Sequence, residues 1–304
     1  MSFSSLGSAS LGAHAPRLGI GIIGAGRVGP VVAAAWRSVG HQIVGISVTD
    51  ERSADRAEAI LPGVPHTSTA DVLERSEAVV FALDAATIQQ EVASAAAAGR
   101  FQMGQLVLHT SPAVGIDVLT PAAEAGAIPL AIHPLLRFTG TSMDATALNG
   151  ARAAVSAPKL MVPVALALAV ELGCEPFVLD EDDRDLYAAA VAVATEPVSA
   201  SLAYAWDALN SVGVEDPSAA LGPLVRSSVD AAIASGSSAG TSFARTLSPE
   251  AVASARRGWS GPDAPVGAHG FYVAMATAAI TRAVGRGEIT DAQAAAVLDA
   301  LQSE

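Results

Sequence analysis

The strongest chemical signal in the chain is Gly24-Ala25-Gly26-Arg27-Val28-Gly29. The motif follows an apolar run, Leu18 to Ile23, and opens a helical stretch, Arg27 to Val39. Glycines at this spacing in a strand-to-helix turn have separate tasks. Gly24 permits the tight turn, Gly26 lets the backbone approach a pyrophosphate, and Gly29 lets helix and strand pack closely. The free N–H groups of the first helical turn then face the anion. Arg27 sets a cation against the helix dipole, which an adjacent phosphate would justify.

The end of the second strand distinguishes between dinucleotides. NAD binders usually carry Asp or Glu there, on the ribose 2′-OH. Here Ser47 stands 23 positions after Gly24, followed by Val48, Thr49, Asp50, Glu51 and Arg52. No acid repels a 2′-phosphate at that strand end, and Ser47, Thr49 and Arg52 can hold one. NADP is therefore expected, with NAD as the alternative because Asp50 and Glu51 are near. Leu83-Asp84 follows another strand and should border the dinucleotide, although Asp84 equally suits a helix N-cap.

Proton chemistry has three candidates. His109 and His133 each end an expected parallel strand, and such C-terminal ends form the ligand crevice. Histidine exchanges protons near neutral pH; the alternative reading of either is a backbone-bonded histidine that fixes a loop. Ser111 suits a hydrogen bond to substrate or to a nicotinamide amide. Glu196 lies in an apolar stretch, where a carboxylate must be paired, protonated or facing a cavity, so it is a candidate acid or base. Tyr187 precedes it by nine positions, about 2.5 helical turns, so the two point to nearly opposite sides.

The elements that must carry these residues alternate. Strands are expected at 18–23, 42–48, 64–66, 78–83, 105–109 and 128–132, with helices at 27–39, 53–61, 85–98 and 115–125. This alternation specifies right-handed crossovers and a parallel sheet covered on both faces. Apolar runs at 151–156 and 176–179 can extend it. From Asp180 the text turns helical, with acids Asp180 to Asp183 at a helix start and a helix from Arg184 to about Ser211 that Pro197 should kink. Further helices are expected at 218–235, 248–256 and 265–284. Thr290 and Gln293 form a capping box for the last one, and 235–241 reads as a loop. The fold class is α/β: an N-terminal Rossmann doubly wound parallel sheet (18–179) and an all-helical C-terminal domain (180–304), after a flexible extension (1–17).

Composition narrows the function. The 304 residues are 51% hydrophobic and 15% charged, enough for two cores, and the net charge is −13. A chain this acidic repels phosphate backbones and anionic membranes, so neither nucleic acid nor lipid is the expected partner. One cysteine, Cys174, excludes a disulfide framework and a cysteine zinc site, and a cytoplasmic location fits. No uninterrupted apolar run approaches the ~20 residues of a membrane span.

GIIGAGRVG, LHTSPA and AIHPLLRFTG in the first half, with DLYAAAVAVATEP and SGPDAP in the second, resemble a bacterial family. That family joins a Rossmann-like domain to a helical C-terminal domain of unknown function. It is similar in fold to the 6-phosphogluconate dehydrogenase and pyrroline-5-carboxylate reductase groups. The resemblance spans roughly residues 18 to 285 and implies NADP-type binding and a homodimer formed through the helical domain. Relatives tend to carry a basic residue where Val48 stands, Tyr-His where Tyr187-Ala188 stands, and Asn at Glu196. The catalytic lysine of β-hydroxyacid dehydrogenases has no match, because Lys159 precedes an apolar helix instead. The expectation is an NADP(H)-dependent oxidoreductase acting on a small molecule. The alternatives are a non-catalytic dinucleotide sensor or dimeric interaction protein, and a crevice that holds another nucleotide or a deazaflavin.

Overall fold

The computed structural model describes residues 17–236 and 248–302. The expected N-terminal extension, and the 235–241 loop beyond residue 236, lie outside these. The chain divides into two compact units, residues 1–195 and 196–304.

The first unit is built on eight strands. These are β1 (Gly19–Ile23), β2 (Gln42–Ser47), β3 (His66–Thr67), β4 (Ala78–Phe81), β5 (Leu106–His109), β6 (Ile128–Pro134), β7 (Arg152–Ser156) and β8 (Glu175–Val178). Their spatial order is β3-β2-β1-β4-β5-β6-β7-β8. β1, β4 and β5 are buried almost throughout, so they read as continuous apolar runs rather than alternating ones. The chain leaves β1 for β2 on one side and later returns to β4 on the other. This reversal opens a crevice at the C-terminal ends of β1 and β4.

The helices of this unit are α1 (Gly29–Ser38), α2 (Glu51–Ile60), α3 (Thr69–Arg75), α4 (Ala85–Ala97), α5 (Thr120–Glu124), α6 (Met143–Ala147) and α7 (Val162–Glu171). They bury two apolar clusters, one around Trp36, Ile22 and Leu168, the other around Phe81, Leu73 and Ile88. The Trp36 indole donates to Leu168 O at 3.0 Å, so the largest side chain of its cluster is also satisfied.

Two features differ from the sequence expectation. The sheet is mostly parallel, not wholly so: β7 runs antiparallel to β6. A parallel neighbour needs a crossover of a dozen or more residues, usually a full helix. The connection from β6 to β7 has that length, but its helix, α6, has five residues and is too short to run back along the sheet, so the chain turns back. Helices α3 and α6 are additional to the expected ones; Ser68 caps α3, accepting from Asp71 N at 3.1 Å.

After a 3-10 turn (Glu181–Asp183) comes α8 (Arg184–Ser211), a 28-residue helix with Pro197 inside it. An 18-residue window within Glu181–Ser211 has a mean hydropathy of 1.3, and the segment has the length to cross a membrane. Glu196 stands near the middle of α8, where a charge in a bilayer would cost ~2.5–3.5 kcal/mol or more.

In the second unit, α9 (Pro217–Ser235) is followed among the described residues by α10 (Pro249–Trp259), α11 (Ala268–Gly285) and α12 (Asp291–Gln302). The last three share a core of Val252, Tyr272, Ile280, Val297 and Leu301. The capping box forms as expected, with Thr290 N on Gln293 Oε1 at 2.9 Å and Gln293 N on Thr290 Oγ1 at 3.2 Å.

Candidate active site

The glycine turn closes at the end of β1 for steric reasons that can be read atom by atom. Gly24 has φ +106°, and a Cβ there would meet Ala82 O at 2.6 Å. At Gly29 a Cβ would lie 2.0 Å from Gly24 O. A Cβ on Gly26 would meet nothing within 4 Å, so open space lies over the turn. Ser47, buried at the end of β2, accepts from Gly24 N at 3.1 Å. It therefore pins the turn and does not line the crevice. The turn precedes the first backbone bonds of α1, from Val31 and Val32 N to Val28 O, both 3.1 Å.

A cleft of about 630 Å³ runs along this switch point. Gly24, Ala25, Gly26, Arg27, Val28, Thr49, Arg52, Leu83, Asp84, Ser111 and His133 all line it. So does Arg56, which the sequence reading did not single out. It follows Arg52 by one turn of α2, a spacing that puts both on one face. Its Nη1 donates to Ala25 O at 3.2 Å. Loop residue Gly140 is close enough that a Cβ there would sit 3.1 Å from both the Arg27 and Arg56 side chains. Three guanidinium groups thus border the cleft.

The two acids of the cleft are occupied with their own helices. Asp50 caps α2, accepting from Ser53 N at 2.9 Å and from the Thr49 hydroxyl at 3.0 Å. These bonds, the Ser53 amide first, hold its carboxyl below the usual range. Asp84 caps α4 and accepts from Thr87 N and Oγ1 at 3.0 and 2.6 Å. The Thr87 hydroxyl is the main cause of its lowered pKa.

His133 ends β6 and also borders a second, more apolar cavity of about 500 Å³. Its other walls include Leu135, Leu136, Arg137, Val191 and Thr195. Tyr187, one turn into α8, lines this second cavity, and its hydroxyl meets His133 Nδ1 at 2.5 Å. The rings meet edge to face at 80° with centroids 5.8 Å apart, and Phe177 flanks the tyrosine. Burial, helped by the Arg184 charge and by His109, depresses the His133 pKa to about 4. Burial raises Tyr187 to about 12. At neutral pH the phenol therefore donates and the uncharged imidazole accepts.

The other two proton candidates are placed differently. His109 is fully buried; Nε2 donates to Gly115 O at 3.1 Å and Nδ1 accepts from Ser111 N at 3.3 Å. Both nitrogens are spent on backbone and it lines neither cavity, so it fixes the loop that carries Ser111. Burial holds its pKa near 4. Glu196 is exposed, so the cost of a carboxylate in apolar surroundings does not arise. Tyr187 stands apart from Glu196 along α8, as its spacing predicts. Its real partner lies 54 positions away in sequence, a pairing that helical spacing cannot show.

Residues 6–134 match the model of a Rossmann-like domain, and residues 151–242 match DUF2520, a domain of unknown function. No curated protein matches the chain. Among solved structures, it is similar to an imine reductase from Pseudomonas sp. (TM-score 0.62, 14% identity, covering 94% of this chain and 100% of that one). It is similar also to a reductive aminase from Aspergillus terreus in complex with NADPH and ethyl levulinate (0.61, 15%, 93% and 99%). A third likeness is to a variant imine reductase from Myxococcus stipitatus in complex with NAD+ (0.57, 16%, 94% and 99%). At these identities the likeness concerns the fold.

Proposed function

For a chain that joins a Rossmann-like domain to a DUF2520 helical domain, we propose an NADP(H)-dependent oxidoreductase acting on a small carbonyl or imine compound. One observation carries this reading: the Tyr187–His133 pair stands where a cleft opening on the glycine turn meets an apolar cavity. The open space over Gly26 fits a pyrophosphate, with the N–H groups of residues 26–29 as donors. Arg52 and Arg56 would hold a 2′-phosphate, and Ser111 would bond the nicotinamide amide. When bound, the dinucleotide supplies or takes up hydride.

The chain's own residues manage the proton. In reduction the Tyr187 O–H bond breaks as a bond forms between that proton and the substrate oxygen or nitrogen; the phenolate recovers a proton from solvent. His133 holds the hydroxyl in place beforehand. In the oxidative direction the steps reverse: the phenol proton leaves to solvent, and the phenolate takes up the substrate proton as the substrate O–H or N–H bond breaks. Leu135, Leu136 and Val191 keep water from part of the substrate's surface.

The named relatives that bind NADPH or NAD+ support a nicotinamide cofactor, and the three arginines favour the phosphorylated one. A homodimer belongs to the same reading. Leu186, Val193 and Val198 on α8, and Leu224, Val229 and Ile233 on α9, are exposed apolar side chains that a second copy would cover.

The test is a nicotinamide-fluorescence titration of the purified chain with NADPH and NADH, repeated on Arg56→Gln. NADPH should bind at least tenfold more tightly than NADH, and Arg56→Gln should remove most of that preference. Binding of neither at millimolar concentration rejects the reading. Cofactor binding without turnover on any carbonyl or imine would favour a non-catalytic sensor.

A further inference from the structure

Behind the Tyr187–His133 pair lies a buried cation. Arg184 is 5% exposed, although it opens a helix at the edge of its unit. Its Nη2 donates to Ser156 Oγ at 2.6 Å, at the end of β7, and to Glu181 Oε1 at 3.0 Å. Glu181 is itself fixed, since its other oxygen accepts from Ile116 N at 3.1 Å. A Cβ on Gly115 would fall 1.7 Å from that oxygen, so only glycine admits the carboxylate here. The Arg184 guanidinium carbon sits 5.9 Å from the centre of the Tyr187 ring. Its Nε is buried with no hydrogen-bond partner among the described residues.

An arginine that served only to tie α8 to the sheet would not need this position. A buried guanidinium nitrogen without a partner costs free energy, and such a group calls for a role that offsets the cost. The surroundings suggest one. The cation faces the ring that carries the reacting hydroxyl, and one turn of helix fixes its distance from that ring.

We propose that Arg184 is a positioning residue for the proton-handling pair. It clamps the Tyr187 ring and adds its charge to burial in lowering the proton affinity of His133, the imidazole that accepts from the phenol. The inference rests on the oxidoreductase reading for its purpose, but not for its test. The charged and titratable groups around His133 can be named. His109 lies on the neighbouring β5, and Tyr187 and Arg184 lie on α8. Arg137 lines the apolar cavity, while Arg27, Asp50, Arg52, Arg56 and Asp84 line the dinucleotide cleft. On β7, the residue opposite His133 is Ala154, which carries no charge. Of these groups, Arg184 and His109 are the ones that hold the imidazole's proton affinity down by charge, after burial. His109 is itself uncharged at neutral pH, which leaves Arg184 as the standing cation.

The experiment follows the histidine ring resonances by NMR against pH in the intact chain, in wild type, Arg184→Met and Arg184→Lys. His133 is assigned from a His133→Gln sample. In Arg184→Met the His133 midpoint should rise by about one pH unit, the low end of the effect of a nearby charge. Arg184→Lys keeps the charge and should return the midpoint to within a few tenths of wild type. If turnover is found, its acid limb should move with the same midpoint, up in the methionine variant and back in the lysine one. A purely structural Arg184 predicts a loss that is equal at every pH and no restoration by lysine. An unmoved His133 midpoint in Arg184→Met overturns the proposal, whether or not the protein turns over a substrate. Should Arg184→Met fail to fold, Arg184→Gln is used in its place, since its amide can still bond Ser156 or Glu181 without the charge; an unmoved His133 midpoint in that variant overturns the proposal equally.

Discussion

Acid should destabilise the first unit through two histidines before the carboxylates respond. His109 and His133 titrate near 4 in the folded chain, against an ordinary 6.5, chiefly because burial disfavours their charged forms. The sign follows from proton counting. Between pH 6.5 and 4 the unfolded chain holds more protons at these sites than the folded one, so stability falls as pH falls. The loss starts near 6.5 and levels off near 4. Each site contributes at most ~1.4 kcal/mol per pH unit, so each costs on the order of 3 kcal/mol across the window, against a total of ~5–15 kcal/mol for an ordinary domain. The lowered carboxylates Asp50, Asp71 and Asp84 act in a lower window, where protonation weakens the caps of Asp50 and Asp84 and the bonds Asp71 accepts from the Ser68 and Thr67 hydroxyls. His109 carries the more secure half of the effect. Its Nδ1 accepts from Ser111 N, and a proton on that nitrogen would face an N–H with no acceptor. Urea unfolding from pH 7.5 to 4.5 measures the slope in wild type and in His109→Gln. The variant will be less stable at pH 7, but its slope between 6.5 and 4.5 should be shallower by about 1 kcal/mol per pH unit. Equal slopes in the two proteins would refute the argument.

Three further outcomes are expected. Tyr187→Phe keeps the ring beside Arg184 and removes only the hydroxyl; steady-state kinetics should show kcat down by ~10²–10⁴ with the NADPH Kd unchanged, and an unchanged kcat removes Tyr187 from the proton step. Gly29→Ala forces a Cβ to within 2.0 Å of Gly24 O, so the turn must open; urea unfolding should show a loss of about 1–3 kcal/mol and fluorescence a loss of NADPH binding, and full retention of both would contradict the packing described. Ile233→Glu places a charge on a side chain that is 74% exposed in the single chain; sedimentation should give a dimer for wild type and a monomer for the variant, and a wild-type monomer would end the dimer proposal.

Much of the fold was legible because it rests on local periodicity. The strand-to-helix turn at Gly24–Gly29, the alternation through β6 and the long helix from Arg184 are each set by residues near one another in sequence. Helix α3 escaped because seven residues with only Val72 and Leu73 buried leave little apolar signal. The direction of β7 escaped because strand polarity depends on how far the intervening chain must travel, not on the strand's own residues.

The site divides along the same line. Sequence alone determined the anion-ready turn, the missing acid at Ser47 and the histidine at the end of β6, since each depends on a residue's type and its offset from a strand. Only the tertiary structure decided what those residues do. It turned Ser47 inward onto Gly24 N, spent both His109 nitrogens on backbone, and left Glu196 in solvent. It also brought Tyr187 across 54 positions to His133 and buried Arg184 behind the pair. The physical reason is range. A turn is governed by steric contacts within a few residues, whereas a side chain's protonation and partners are governed by whatever the completed sheet packs against it.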